Sequence, residues 1–527
     1  MRRSTVPICS APSRRRLFSR YLAVIVVSLG AIGPMVVCRG EVATPSEGAA
    51  LINRHFEEHW AARHIEPASP ADDATFLRRA TLDLIGRTPT LGETRQFLGS
   101  SNADKRRDLI ERLLRQPAHA RHFASVWRRI WLPQTQAPPH DYLADEFEHW
   151  LALEFQSRTS YDEIVRRLLS AASPPQSAVS SHRPGAPKTF LLANEMRPEE
   201  LAANASRELL GVNLECAQCH DHPFASWKRQ QFWQAAAFFV NSDVSAEAPE
   251  IPIPDSSETA SAQVWTGDQL DWVSSDEASS PRRVFAEWTT SSTNPYFARN
   301  AVNRLWHHLL GAPLCEPIDD LSSADQSPHA ELLDKLATAL AAHDFDLRFV
   351  TQAIMESRTY QLNGPRTEES RSQSDFDVAA VRSMSGEQLY DSLELATGRP
   401  ALQLDLDSPE RLLQRRQFVD AFQANSLERP KRSVVQSLAL MNGVAVAELT
   451  DSEQCPTVAV VAEGPFTSDS QRVEFLYKTI LSRDPSPEES DSLVKLLEDA
   501  RRRDALKPAL ADIVWAMLNS VEFNTNH

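Results

Sequence analysis

The sequence predicts a mainly α-helical protein in which two multi-helical domains are joined by an acidic linker rich in serine and proline. Three observations favour this fold class. Apolar residues recur at helical spacing along most of the chain, strand-like alternation is almost absent, and glycine (16 residues) is scarce beside proline (34 residues). The length of 527 residues, of which 42% are hydrophobic and 24% charged, suits two large globular domains.

The first 40 residues are predicted to be a targeting segment rather than part of a domain. A basic region ends at Arg20 and is followed by an uncharged run over residues 21–38, which is the pattern of a secretory signal peptide. We therefore expect export to the periplasm or the cell surface. The same run is long enough to span a bilayer, so an uncleaved anchor stays open as the alternative and is the only membrane contact expected.

Residues 45–240 form the first predicted domain. Its clearest elements are two amphipathic helices that Pro117 separates. Their apolar positions are Leu109, Ile110, Leu113 and Leu114, followed by Phe123, Val126, Trp127, Ile130 and Trp131.

Residues 241–281 are acidic and rich in serine and proline, and they are predicted to be the linker. Residues 282–527 form the second predicted domain. Helical periodicity in this domain recurs over residues 332–340, 347–354, 434–449 and 475–481. The only short strand candidate is the run over residues 457–461.

The chemically most specific motif is Cys216-Ala217-Gln218-Cys219-His220, a C-x-x-C-H sequence. In a c-type haem site two such thiols bond to the porphyrin, and the next imidazole ligates the iron. On a helical turn the two thiols and the imidazole project to one side, where they reach one macrocycle together. The motif therefore predicts that Cys216 and Cys219 attach haem c and that His220 is an axial ligand of its iron.

Two other interpretations of this cluster stay open. Cys216, Cys219, His220 and His222 are a ligand set that suits zinc or another transition metal, and His222 is a ligand only in this alternative. Against zinc, structural sites usually take their ligand pairs from two separated segments. The two cysteines can also form a disulfide in an oxidising compartment.

Six aromatic residues follow the motif and either wall a haem pocket or belong to the core, which is the commoner role. They are Phe224, Trp227, Phe232, Trp233, Phe238 and Phe239. The second axial ligand is not identified, because His222 lies too close to His220 along the chain to reach the opposite face of the ring. Conceivable ligands are Met196, His55, His59 and His182.

Four weaker constellations also occur. For three of them structural roles are commoner than functional ones: helix caps rather than a cation site, a buried polar network, and an ion pair within or between helices. The fourth is a cysteine pair for which a disulfide stays open. The sequence does not show which of these residues converge in space. In the same order they are Asp319, Asp320 and Asp325; Asn300, Asn303 and Arg304; Arg78 and Arg79 with Asp83; and Cys315 with Cys455.

Several ordered blocks carry a family resemblance. They include LGVNLECAQCHDHPF over residues 210–224, FLRRATLDLIGRTPT over 76–90 and NPYFARNAVNRLW over 294–306. Shorter blocks lie at residues 331–334, 357–362, 384–389, 439–443 and 518–523. From about residue 50 to its end, the chain resembles a planctomycete-type family of exported, cytochrome-like proteins built from two consecutive domains of unknown function.

This resemblance implies export, a cytochrome-like character that derives from the C-x-x-C-H motif, and no established reaction. It also implies an exported sulfatase-like protein as a partner. The chain departs from the family over residues 322–330, where the family usually shows an Asn-Pro-Pro-Ser-His-Pro-like run, so any ligand site shaped by that run differs here.

The sequence therefore predicts an exported cytochrome-like protein that binds haem c and acts in electron transfer or as a redox or accessory component beside a secreted partner. The alternative is a non-redox scaffold or accessory protein whose Cys/His cluster holds zinc, another metal or a disulfide, and which serves polysaccharide or sulfated-glycan breakdown. A hydrolase in its own right is third, and no reaction is assigned, because the glycine-loop, G-x-S-x-G and H-E-x-x-H motifs are absent. The net charge of −16 argues against a nucleic-acid partner.

Overall fold

The computed structural model describes residues 42–136, 139–171, 186–223, 225–240, 248–270, 272, 280–364, 375–399, 409–422 and 434–527. Within these ranges the mainly α-helical prediction is confirmed, since the only sheets are two pairs of short antiparallel strands. The predicted targeting segment, with its possible anchor at residues 21–38, lies outside them. No described helix combines the length and apolar character needed to cross a membrane.

The first three described helices begin at side-chain caps that the sequence supplies. Thr44 and Glu47 form a capping box at the start of the first helix, which satisfies two main-chain N–H groups. Pro117 opens a helix of its own, as predicted, because proline is tolerated in a first turn. The helices before the predicted linker are α1 Pro45–Arg63, α2 Asp73–Ile85, α3 Leu91–Leu98, α4 Lys105–Leu114, α5 Pro117–Trp131, α6 Ala144–Gln156, α7 Tyr161–Leu169, α8 Thr189–Ala193, α9 Pro198–Asn204 and α10 Arg229–Ala237.

The helices after the predicted linker include those expected from periodicity. The helix expected over residues 434–449 is divided at Gly443 into two shorter helices. In chain order they are α11 Pro281–Thr289, α12 Phe297–Leu310, α13 Ala330–Ala342, α14 Leu347–Glu356, α15 Gly386–Ala396, α16 Pro409–Phe422, α17 Val434–Asn442, α18 Val444–Leu449, α19 Pro456–Glu463, α20 Asp469–Ile480, α21 Pro487–Arg502, α22 Leu506–Leu518 and α23 Val521–Asn524.

The prediction of a strand over residues 457–461 is wrong, because these residues lie in α19. Pro456 occupies the first turn of that helix. Val458 and Val461, three positions apart, are both fully buried, so the run follows the helical period. Because α19 packs against α22, tertiary burial overrides the β propensity of its branched side chains.

Two short strand pairs complete the described structure. β1 (Glu250–Pro252) pairs antiparallel with β2 (Thr259–Ser261), and β3 (Arg382–Ser383) pairs with β4 (Thr525–Asn526). The first pair belongs to the segment predicted as the linker, and it packs on α10. The described part of that segment therefore supports the helix that follows the C-x-x-C-H motif.

The described residues from Val42 to His527 form one compact unit with two hydrophobic clusters. The larger cluster draws residues from Val42 to Phe376, on both sides of the predicted linker. The smaller one draws residues from Met384 to Phe523 and also contains Leu82 of α2. Helix α2 thus contacts both clusters.

The predicted pairing of Arg78 and Arg79 with Asp83 is wrong in its partners. Arg78 donates to main-chain carbonyl oxygens, including that of Phe523 at 2.6 Å. Arg79 donates to the carbonyl oxygens of Tyr360, Leu362 and His527. A buried guanidinium needs several acceptors in its own plane, and main-chain carbonyls from distant segments supply them.

Asp83 of α2 instead joins β3 and β4. Its carboxylate accepts hydrogen bonds from the guanidinium of Arg382 at 2.9 Å, the hydroxyl of Tyr360 at 2.8 Å and the side-chain amide of Asn526 at 2.7 Å. The carboxylate is fully buried, and burial raises its pKa. This network fixes the carboxyl-terminal residues of the chain to its second helix.

Candidate functional site at the C-x-x-C-H segment

The chain enters the C-x-x-C-H segment through a π-helix and a glycine turn. Helix α9 continues into a π-helix over Ala205–Leu209, a rare conformation that is frequent at functional sites. Gly211 follows with φ of 63°, and a Cβ there would lie 2.9 Å from Oδ1 of Asn300. Glycine is therefore required at this turn, and Leu321 holds it by donating its N–H to the Gly211 carbonyl at 2.7 Å.

A buried ion pair joins this π-helix to α12. Oε2 of Glu208 lies 2.7 Å from Nη2 of Arg304, and the two side chains are 3% and 4% exposed. Asn300 donates to the carbonyl of Glu208 at 2.8 Å and accepts from Nε of Arg304 at 3.1 Å. These contacts place Asn300 and Arg304 in a buried polar network, the more common of the two roles considered for them.

Arg207 connects this buried network to the C-x-x-C-H motif. Its guanidinium lies 3.0 Å from the carboxylate of Glu208 and 2.6 Å from that of Glu215. Glu215 directly precedes the first cysteine of the motif. A continuous chain of charged contacts therefore runs from the core of α12 to the candidate site.

Cys216 and Cys219 are both exposed, and both are free thiols. Cys216 lies in a 3-10 turn over Glu215–Ala217, and the chain remains in turn conformation as far as Cys219. Ala217 between them is fully buried. The expected helical turn is therefore short and of the 3-10 type. The side chain of Ala217 packs in the larger hydrophobic cluster and holds the turn on the core.

His220 is exposed, and its imidazole is oriented by the main chain. Nδ1 lies 2.8 Å from the carbonyl oxygen of Asp221. A carbonyl can only accept, so Nδ1 carries the hydrogen. In the neutral ring, Nε2 is then the nitrogen with a lone pair, which is the arrangement found in metal-bound histidines.

The Asp221 side chain holds the turn against α10. Its carboxylate accepts from the main-chain N–H of Arg229 at 2.9 Å and from Nζ of Lys228 at 3.0 Å. The N–H of Arg229, followed by the ammonium of Lys228, lowers the pKa of Asp221. Trp233 of α10 donates its indole N–H to the carbonyl of Gln218 at 3.0 Å. Residues of α10 therefore form hydrogen bonds with the chain on both sides of Cys219, at Gln218 and at Asp221.

His222 is partly buried in the loop that follows. Its main-chain N–H donates to the carbonyl of Trp227, and its Nδ1 accepts from the N–H of Ala225, both at 2.8 Å. Nδ1 of His222 therefore accepts a hydrogen bond within the loop, whereas Nδ1 of His220 donates one to a carbonyl oxygen. Across the described part of the chain, no group of three or more His, Cys, Asp or Glu side chains is arranged to hold a metal ion.

The aromatic residues after the motif belong to the core. Those described are buried members of the larger hydrophobic cluster, whereas Phe224 lies outside the described residues. The described ones are Trp227, Phe232, Trp233, Phe238 and Phe239. Trp233 contacts the turn through its indole N–H, which donates to the carbonyl of Gln218, whereas Phe238 and Phe239 pack on Phe285.

Three of the conceivable second axial ligands have other surroundings, and His182 lies outside the described residues. Nε2 of His55 is 2.9 Å from Nδ1 of His329. Nε2 of His59 is 3.0 Å from the carboxylate of Asp375. Met196 packs against the larger hydrophobic cluster.

The remaining constellations have structural roles. Asp320 caps a 3-10 turn by accepting from the N–H of Ser322 at 3.0 Å, and Asp325 pairs with Arg299 at 2.9 Å. Asn303 exchanges two hydrogen bonds with the main chain of Cys315.

The disulfide considered between Cys315 and Cys455 is not formed, since both residues are free thiols. Each is buried and donates to a carbonyl oxygen, Cys315 to Ala324 at 3.7 Å and Cys455 to Thr397 at 3.6 Å. Burial raises the pKa of both thiols. The two residues belong to different hydrophobic clusters, which explains why they do not pair.

Sequence reasoning missed Arg207 and Glu208, which link the core to the motif. One signal was available, because Arg207 and Glu208 are the charged residues of a mainly apolar run over residues 201–212. A charged residue in such a run is rarely buried without a partner. The buried partner of Glu208, Arg304, is 96 positions away, and only the fold brings the two together.

The geometry first defines a class: a helical protein that presents an exposed C-x-x-C-H turn on a tightly packed core. Residues 51–244 match the family model PSCyt2, a protein of unknown function (DUF1549), and residues 281–434 match PSD1, a protein of unknown function (DUF1553). The chain therefore belongs to the proteins that combine these two consecutive domains. No curated protein and no solved structure matches it.

Proposed function

We propose that the protein binds haem c through Cys216, Cys219 and His220 and acts in electron transfer, or as a redox or accessory component beside a secreted partner. Bound haem supplies reversible one-electron exchange at its iron. The two thiols of this chain would attach the haem covalently, and the imidazole of His220 would ligate its iron.

The observation that carries this proposal is the hydrogen bond from Nδ1 of His220 to the carbonyl of Asp221 at 2.8 Å. It leaves Nε2 as the ligating nitrogen and fixes the ring before the iron arrives. Both cysteines beside it are exposed, free thiols. The donor set therefore fits the cofactor in chemistry and in access.

The test is visible spectroscopy of the full chain after expression in a host that attaches c-type haem. We expect a coloured protein whose absorption persists after acid–acetone extraction, and a mass increase of one haem. Cys216→Ala or Cys219→Ala should abolish or weaken the covalent attachment, whereas Cys455→Ala, outside the motif, should retain it. A colourless wild-type protein, or equal haem loading in all three variants, would contradict the proposal.

The location and partner proposed with this function are an exported protein, in the periplasm or at the cell surface, beside an exported sulfatase-like protein. The basic region and the uncharged run over residues 21–38 support export. Cell fractionation with amino-terminal sequencing of the recovered protein tests the export. Co-purification of the sulfatase-like protein from the exported fraction tests the partner.

A non-redox scaffold or accessory protein that serves polysaccharide or sulfated-glycan breakdown is the second candidate. The observation that favours it is the burial of Trp227, Phe232 and Trp233 in the core, since a haem usually needs apolar walls around it. In this case Cys216 and Cys219 form a disulfide, or they bind zinc or another metal with His220 and His222. Stoichiometric zinc by elemental analysis, or loss of two titratable thiols in a colourless protein, would support it.

A further inference from the structure

Three histidines and an aspartate form a cluster between α1 and the start of α13. His55 and His59 lie one turn apart on α1, and His329 directly precedes α13. The ring centre of His329 is 5.2 Å from that of His55 and 4.9 Å from that of His59. Asp375 completes the group, because its carboxylate lies 3.0 Å from Nε2 of His59. These four residues are called the histidine cluster below.

The contact between His55 and His329 is a hydrogen bond between two imidazoles. Nε2 of His55 lies 2.9 Å from Nδ1 of His329, so one nitrogen donates and the other accepts. The bond persists when the pair gains one proton, because the neutral ring still supplies an acceptor. A second proton places an N–H group on both sides, and the contact then becomes a repulsion between two cations.

The pair is largely withdrawn from water. His329 is 1% exposed, and Phe56 and Phe376 lie against its ring, with ring centres at 5.1 Å and 5.7 Å. Burial, followed by the charge of the neighbouring His59, lowers the pKa of His55. The second proton therefore binds only below the ordinary histidine value of about 6.5.

The charged groups near the histidines include more carboxylates than cations. The carboxylate of Asp375 lies 3.0 Å from His59 and 2.8 Å from Arg63. The excess of negative charge favours the first proton on the imidazole pair, whereas the second proton meets the charge of the first in the adjoining ring. The groups are Glu58 and Arg63 on α1, Glu331 and Lys335 on α13, and Asp375 with the buried Asp377.

Helix α14 also packs against α1, and its charged residues contact other positions of that helix. Glu356 accepts from the hydroxyl of Ser46 at 2.8 Å, and the guanidinium of Arg358 lies 3.7 Å from Glu57. The charges of α14 are therefore directed to residues other than the two histidines of α1.

His329 ends a run of chain, residues 321–329, that also contacts the C-x-x-C-H segment. At the other end of the run, the N–H of Leu321 donates to the carbonyl of Gly211 at 2.7 Å. Ser327 donates to the carbonyl of Leu314 at 2.8 Å and accepts from the N–H of His329 at 3.2 Å. The run consists of a 3-10 helix and a turn, so its position depends on such individual contacts.

We propose that the histidine cluster is an acid-sensitive switch for this run. At neutral pH the hydrogen bond between His55 and His329 holds residues 321–329 against α1. When both imidazoles are protonated, the bond is lost, and the repulsion between the two rings loosens the run. The switch belongs to the fold itself and does not depend on haem attachment.

Hydrogen exchange measured by mass spectrometry on the full chain tests the proposal at about pH 7 and about pH 5, with rates corrected for the intrinsic effect of pH. We expect peptides over residues 321–332 to lose about tenfold in protection at the lower pH, the effect of one hydrogen bond. Peptides from α20, which belongs to the smaller hydrophobic cluster, should lose less.

His55→Gln places an amide near the position of Nε2 and removes one titrating group, so it should abolish most of the acid-induced loss over residues 321–332. His329→Asn does the same at Nδ1 and is the second variant. His149→Gln, at an exposed histidine of α6, is the matched control and should behave as the wild type. Circular dichroism at about pH 7 checks that each variant is folded.

Three results would overturn the proposal. The first is unchanged protection of residues 321–332 in the wild type at the lower pH. The second is an equal loss of protection along the whole chain, α20 included. The third is the same local loss in the wild type and in both His55→Gln and His329→Asn.

Discussion

At the residue scale, the charged pairs near the C-x-x-C-H turn differ chiefly in their burial. Glu208 and Arg304 are almost wholly buried, whereas Asp221 and Lys228 are more than half exposed. Exposed pairs contribute about 0–1 kcal/mol because water and salt screen them. Removing one partner of a buried pair costs more, since the other charge is left without compensation.

Arg304→Ala is therefore expected to lower the free energy of unfolding by about 3–5 kcal/mol. The loss arises because the buried carboxylate of Glu208 keeps only the guanidinium of Arg207 as a charged partner, and Asn300 loses the donor to its Oδ1. Urea denaturation followed by circular dichroism measures it, and Lys228→Ala is the matched control, with an expected change below about 1 kcal/mol. Equal losses in the two variants would show that the buried pair has no special role.

At the same scale, the residues of the C-x-x-C-H motif were predictable from the sequence, whereas the buried ion pair near it was not. Cys216, Cys219 and His220 stand together in the chain, so their residue types and spacing reveal them. The hydrogen bond of His220 is also local, to the next residue. The partnership of Glu208 with Arg304 is not local, because it depends on the packing of α9 and its π-helix against α12.

At the element scale, the turn at Gly211 sets the direction in which the chain leaves the π-helix and enters the C-x-x-C-H segment. Its φ of 63° suits glycine, and Asn300 and Leu321 approach where a Cβ would stand. Two separate costs therefore oppose any other residue, one from the backbone and one from the contact. Gly267 has a similar φ of 79° and nothing within 4 Å of a Cβ, so it carries only the first cost.

Gly211→Ala should consequently destabilise the protein more than Gly267→Ala. The backbone cost of about 1–2 kcal/mol is common to both variants, and the displacement of Asn300 adds a further loss of about 1–3 kcal/mol in the first. Thermal and urea unfolding of the two variants give the difference directly. Identical stabilities would mean that the Gly211 turn relaxes without disturbing α12.

The helices were more predictable than the strands at this scale, for a physical reason. Helical periodicity and capping residues are local signals, and they placed the break at Pro117 and the helices α13 and α14. The β-branched run over residues 457–461 led to the wrong prediction of a strand. It lies in α19, and the burial of that helix against α22 determines its conformation. The pair β1–β2 had no signal of its own, since three residues a strand are too few for alternation.

At the scale of the whole molecule, α2 connects the amino-terminal helices to the carboxyl-terminal residues. Arg78 donates to carbonyl oxygens of Phe523, Glu522 and Ile480. Its guanidinium is buried, and burial lowers its pKa to about 10. It remains charged at neutral pH, and its acceptors come from segments more than 400 positions away along the chain.

Arg78→Lys is expected to cost about 2–4 kcal/mol of stability, although the charge is retained, because an ammonium does not reproduce the planar set of donors. Chemical denaturation measures this loss. Arg95→Lys, at an exposed position of α3, should change the stability by less than about 0.5 kcal/mol. If lysine at position 78 proved equally harmless, the carbonyl contacts would contribute little to holding the carboxyl-terminal residues.

Two buried histidines, His119 and His122, and the half-buried His308 surround the carboxyl-terminal end of α2. His119 and His308 each donate a ring N–H to a main-chain carbonyl of that helix, and His122 packs so closely under Gly86 that a Cβ there would lie 2.5 Å from its Nδ1. Burial lowers the pKa of His119 to about 4 and that of His308 to about 3, and it holds that of His122 well below its usual value. All three are therefore neutral in the folded protein at neutral pH.

The stability should fall as the pH decreases below about 6.5, because the unfolded chain then protonates histidines that the folded chain keeps neutral. Each contributes a slope of up to about 1.4 kcal/mol per pH unit down to its folded-state pKa. His308→Gln preserves a donor for the α2 carbonyl and removes one titrating group, so urea unfolding between about pH 7 and about pH 5 should show a slope smaller by roughly that amount. Most carboxylates titrate at lower pH, so an unchanged slope in this window would mean that His308 takes up its proton within the folded protein.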